Sequence, residues 1–90
     1  MSIANNRNFF PKESSELINK ITQIGVVRSA HIESYNSINS KNYENRIYFN
    51  KEILGYIMNI NFKGHHYKVL ASIDGNKPNP KFEKQIKKLF

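Results

Sequence analysis

The sequence predicts an α+β domain: an antiparallel four-stranded sheet in the chain order α-β-β-β-β-α, with helices packed on one face. Three observations carry this. First, Leu54 to Ile73 reads as two strands folded back on a Lys63-Gly64 turn, with glycine supplying a positive φ. With Phe62 opposite His65, one face collects Leu54, Tyr56, Met58, Ile60, Phe62, His65, Tyr67, Val69, Ala71 and Ile73. The other collects Gly55, Ile57, Asn59, Asn61, His66, Lys68, Leu70 and Ser72, and a one-residue slip would scramble both sets. Second, Leu17, Ile18, Ile21 and Ile24 fall on one side of a helix. Third, Phe82, Ile86 and Leu89/Phe90 do the same near the end of the sequence, giving the apolar sheet face two covers.

In chain order, Met1 to Phe10 reads as a loose polar arm whose Phe9 and Phe10 pack back on the core. Pro11 suits the first helical position, where its missing N–H is harmless, and Gly25 marks the stop of the helix spanning Lys12 to Ile24. Val26 to Tyr35 starts with β-branched residues and favours a strand, with Val26, Ala30 and Ile32 on one face and Val27, His31 and Tyr35 on the other. A helix over 26–38 with a weaker Val27, His31, Ser34/Tyr35, Ile38 stripe stays open as the alternative. Asn36 to Asn45 is a loop rich in Asn and Ser, Arg46 to Asn50 a short strand, and Lys51-Glu52 a turn. Asp74 to Pro80 breaks the pattern, and Asn79 as N-cap with Pro80 after it launches the last helix. Residues 1–90 form a single small basic domain, with no internal repeat.

Fourteen Lys and Arg against seven Asp and Glu leave a net charge of +7, which favours polyanionic partners, nucleic acid above all. Part of the lysine count also fits an AT-rich codon bias, because Asn and Ile are abundant too. There is no cysteine, hence no disulfide framework or thiolate metal site, and no apolar run or leader that suggests a membrane or export. The expected location is cytoplasmic. No P-loop, nucleophile elbow or acid/base carboxylate pair is present, and neither a cofactor nor a metal is expected. His65 and His66 are adjacent on a strand, so their rings point to opposite faces and cannot share an ion.

The polar sheet face near the hairpin tip is the candidate site. Asn59, Asn61, Lys63, His65, His66 and Lys68 converge there as amide, imidazole and ammonium groups suited to phosphate and base contact. A solvated sheet face is the plainer reading of the same residues. Lys81, Lys84, Lys87 and Lys88 form either a second phosphate-contacting stripe or a solvated helix surface.

Ile57 to Leu70, an apolar strand, a Gly turn and a Tyr-basic-apolar strand, resembles the hairpin of the RelE/HigB-type toxins, ribosome-dependent mRNA interferases of toxin–antitoxin modules. Asn45-Arg46-Ile47-Tyr48-Phe49-Asn50 is similar to the start of the same family strand, although both matches hold together only with an insertion. The chain departs from the family by entering Asn79-Pro80 and a lysine helix in place of a further strand, and by lacking the N-terminal strand. The resemblance implies an RNA substrate, an acidic antitoxin-like protein partner, and Arg46, His66 and Lys68 as candidate catalytic residues. Attack by a 2′-OH needs a base, an acid and a cation near the phosphate.

The reading is therefore a nucleic-acid-directed protein, RNA favoured over DNA, with a RelE-like ribonuclease as its catalytic form. Two alternatives remain: a non-enzymatic winged-helix-like DNA-binding protein, which needs a helix after Gly25, and a protein-binding inhibitor or regulator that comes from a phage or mobile element.

Overall fold

A computed structural model describes residues 11–36 and 44–90. Its elements are α1 (Pro11–Thr22), β1 (Val27–Asn36), β2 (Arg46–Asn50), β3 (Gly55–Phe62), β4 (His65–Ile73) and α2 (Pro80–Leu89). The arm at 1–10 and loop positions 37–43 lie outside the described residues. The ambiguous stretch after Gly25 is a strand. All four strands join one antiparallel sheet in the order β1-β4-β3-β2. Strands β2, β3 and β4 form a meander and β1 lies beside β4, a Greek-key arrangement with β1 and β2 as the edges.

The β3–β4 hairpin has the expected register, from Phe62 opposite His65 to Tyr56 opposite Ala71. Its turn has φ of 51° at Lys63 and 83° at Gly64. Two successive positive φ angles are the type I′ geometry whose twist matches the flanking strands. The apolar face is where the core forms: Tyr56, Met58, Ile60, Tyr67, Val69, Ala71 and Ile73 are buried against Leu17 and Ile21 of α1 and Phe82 and Ile86 of α2.

Four expectations are corrected. Leu54 does not pair with Ile73 on the apolar face; it is 49% exposed and has φ 53°. The chain needs residues 51–54, not Lys51-Glu52 alone, to turn from β2 into β3. The Asn50 Oδ1 organises that turn, accepting from the N–H groups of Glu52 (2.9 Å) and Ile53 (3.3 Å). Ile73 pairs instead with Val27 of β1. β3 opens on Gly55, where a Cβ would stand 2.5 Å from the Ala71 carbonyl oxygen, so a side chain is excluded by close approach of β4.

The faces of β1 also differ. Its register with β4 shifts between Val27 and Ser29 and again between Ile32 and Ser34. Each shift inserts one residue, Arg28 and then Glu33, and each reverses the alternation. Val27, Ala30, Ile32 and Tyr35 thereby all pack against the core, while His31 is exposed. The end of α1 is the fourth correction: the helix stops at Thr22, whose Oγ1 donates back to the carbonyl of Ile18 at 2.9 Å, and Gly25 is not among the positive-φ glycines. Of the two alternatives at the end of α2, Leu89 is 41% exposed and Phe90 supplies the contact, packing edge-on to Phe62 at 5.9 Å.

The start of α2 is anchored by a buried tyrosine. Asn79 caps the helix, its Oδ1 accepting from Phe82 N–H at 3.0 Å, with Pro80 following as expected. The Tyr56 hydroxyl accepts from Asn79 N–H at 2.8 Å and donates to Glu83 Oε2 at 2.6 Å. Burial, helped by the neighbouring Glu83 carboxylate, pushes the Tyr56 pKa up to about 12. Among the described residues no helix is long and apolar enough to cross a membrane.

Candidate nucleic-acid interface

Because both helices lie on the apolar face, no described element covers the opposite one. The register arranges its polar end in two rows. Arg46 of β2 pairs with Asn59 of β3, which pairs with Lys68 of β4, which pairs with Ser34 of β1. In the next row Asn61 pairs with His66, and His66 with Asn36. Neighbouring strands are about 4.8 Å apart, so Arg46 and Lys68 stand about 10 Å apart across Asn59. Arg46, His66 and Lys68 therefore share one face, with Asn59 and Asn61 between them. Beyond these rows the same face turns apolar, with Ile57 opposite Leu70 and Tyr48 43% exposed.

The two rows are held by specific bonds. His66 Nδ1 and Asn61 Oδ1 are 2.6 Å apart, so the neutral ring donates from Nδ1 and carries its lone pair on Nε2. Burial lowers the His66 pKa below its ordinary 6.5, which keeps the ring neutral at pH 7. The Asn61 N–H donates to Asn45 Oδ1 at 2.8 Å, extending the β2–β3 edge by a side chain.

The hairpin-tip lysines are committed elsewhere. Lys68 Nζ pairs with Glu33 at 3.3 Å; Glu33 is the residue inserted by the second β1 irregularity. Lys63 Nζ reaches Glu16 of α1 at 2.8 Å, an ion pair that raises the Lys63 pKa and lowers that of Glu16. His65 faces the helices, with its ring 5.5 Å from Tyr35 and 6.2 Å from Tyr67. It is thus separated by the sheet from Asn59, Asn61, His66 and Lys68.

The densest group of cations without an acidic partner lies on α2. Lys81, Lys84, Lys87 and Lys88 are all exposed and have no acidic partner among the described residues. At 3.6 residues per turn, Lys84, Lys87, Lys88 and Lys81 span the side opposite Phe82 and Ile86. The one acid of α2, Glu83, is turned to Tyr56. Sequence reasoning placed the lysine stripe correctly, but it passed over Asn45, whose only signal is an amide directly before a strand, and the hydroxyl of Tyr56. Among the described residues no group of three His, Cys, Asp or Glu could hold a metal ion. The chain matches no protein-family model, no curated protein and no solved structure.

Proposed function

We propose that this protein binds RNA, using the lysines of α2 as its main phosphate contacts. The observation that supports this reading is the stripe of four exposed lysines whose only helical acid is drawn inward by Tyr56. Two of the hairpin-tip cations are neutralised by Glu16 and Glu33, so the reading shifts weight from Lys63 and Lys68 to Lys81, Lys84, Lys87 and Lys88. RNA is favoured over DNA by the resemblance to RNA-cleaving toxins and by the amide and imidazole groups of the open face, which suit unpaired bases and the 2′-OH. The winged-helix alternative needs a helix where β1 runs, so it loses its recognition unit.

The test is salt dependence. Single-strand binding releases about 0.7 counterion per phosphate contact, so replacing the four α2 lysines with Gln lowers the log–log salt slope by roughly 3. Fluorescence anisotropy across a salt series reads this directly. An unchanged slope sinks the assignment of α2, and tighter binding of duplex DNA than of RNA sinks the choice of nucleic acid.

A second reading, RNA cleavage, is favoured by one contact: the Asn61–His66 bond presents Nε2 as a base beside Lys68 and Arg46. In that reading His66 takes the 2′-OH proton as the 2′-oxygen bonds to phosphorus, and Arg46 with Lys68 stabilises the phosphorane charge. The P–O5′ bond then breaks to leave a 2′,3′-cyclic phosphate, the departing 5′-oxygen taking its proton from water. Cleavage of mRNA in the presence of ribosomes is then lost by a factor of about 10²–10⁴ in His66→Ala while binding persists. Its acid limb falls below pH 6.5, because the His66 pKa is lowered. Intact RNA with the wild-type protein leaves binding alone.

A further inference from the structure

Where the β2 edge of the sheet meets the end of α2, the surface opens into a cleft of about 360 Å³. Its deeper lining is apolar: Ile60 and Ile86 are buried, and Ile47 and Phe90 are half-buried. Its remaining lining is polar, with Asn45, Arg46, Asn59 and Lys87. The volume is at the lower end of the roughly 300–1,000 Å³ of small-ligand sites, a size for one nucleotide and not for a folded partner.

Among the described residues, the two charged groups that line it, Arg46 and Lys87, are both positive. Arg46 and Lys87 are exposed and have no acidic partner among the described residues. Glu44, the adjacent acid in sequence, is exposed and does not line the cleft. The Asn45 carbonyl oxygen is held by the Asn61 N–H, which fixes the amide and leaves its NH₂ as donor. Arg46 and Asn59 also belong to the first row of the open sheet face, so a strand lying on that face would pass the cleft.

An apolar floor, the Asn45 amide and two cations are together the complement of a base, its polar edge and its phosphate. We propose that this cleft takes one unstacked nucleotide of a bound RNA strand, with the base against Ile60, Ile86 and Phe90 and the phosphate between Arg46 and Lys87. The inference rests on the RNA-binding reading and deepens it: α2 supplies affinity, and the cleft makes that affinity depend on the base.

Two double variants remove the same charge from different places. Arg46→Gln/Lys87→Gln strips the cleft, and Lys81→Gln/Lys84→Gln strips α2 away from it. Each full-length protein is titrated with oligouridine and with an abasic ribose-phosphate strand of equal length. The wild type is expected to prefer the base-bearing strand by about tenfold, the scale of one base stacked on protein. The cleft variant loses that preference, whereas the Lys81/Lys84 variant weakens both strands alike and keeps it. Uridine 5′-monophosphate shifts the amide resonances of 45–47, 59–60 and 86–90 more than inorganic phosphate does. Equal binding of the two strands by the wild type overturns the cleft while leaving RNA binding intact, as does equal behaviour of the two variants. If the wild type binds neither strand, both readings fall.

Discussion

The two helices do the same work for the core and opposite work for the surface. Each buries two large residues against the same sheet face, Leu17 and Ile21 from α1, Phe82 and Ile86 from α2. On their outer sides they diverge. α1 carries two lysines and two glutamates, and Glu16 ties it to the hairpin turn through Lys63. α2 carries four lysines and one glutamate, and that glutamate is fastened from below by Tyr56. One helix is balanced and clasped at the surface. The other is anchored from inside, which leaves its charge outward.

The largest effects test the shared half of this comparison. Leu17→Ala and Ile86→Ala are each expected to destabilise the fold by about 2–5 kcal/mol, from lost burial and a residual cavity. Urea unfolding measures both, and a near-neutral result in either helix would show that the two covers are not equivalent. Next is the anchor. Tyr56→Phe leaves the Asn79 N–H and the Glu83 carboxylate without their partner, for about 1–3 kcal/mol. The smallest effect is expected from Glu16→Gln, since exposed ion pairs contribute little; the unfolding midpoint should barely move at neutral pH.

pH separates the two attachments. The Glu16 pKa is lowered from 4.5 by Lys63, so its contribution is present above pH 4.5 and is lost as pH falls through the folded-state value. The Tyr56 pKa is raised from 10.0 to about 12, so its contribution is present below pH 10 and is lost as pH rises toward 12. Glu16→Gln should therefore flatten only the acid side of the stability profile, and Tyr56→Phe only the alkaline side. A profile in which either variant alters the other limb would break the assignment.

Much of the fold was readable because its signals are local. A Lys-Gly turn, period-two alternation and an Asn-Pro helix start each act within a few residues, and all three stand. The faces of β1 were not readable, because a bulge is an insertion relative to a partner strand and leaves no mark of its own in sequence. Arg28 and Glu33 look like ordinary polar positions until β4 is beside them. The contacts of the hairpin-tip lysines were hidden in a similar way. Lys63 looks free in a turn, yet its counter-charge comes from Glu16, on a different element. Tyr56 fitted the apolar pattern, so its hydroxyl chemistry stayed hidden behind its ring.

The irregularities of β1 have one more consequence, for the protein at high concentration. An edge strand offers unpaired backbone groups that another chain can extend into a continuous sheet. β1 is a long edge of ten residues, but its two register shifts break the even spacing such an extension would need. β2, the other edge, has only five residues. One edge is interrupted and the other short, so the sheet that builds this domain is a poor template for aggregation.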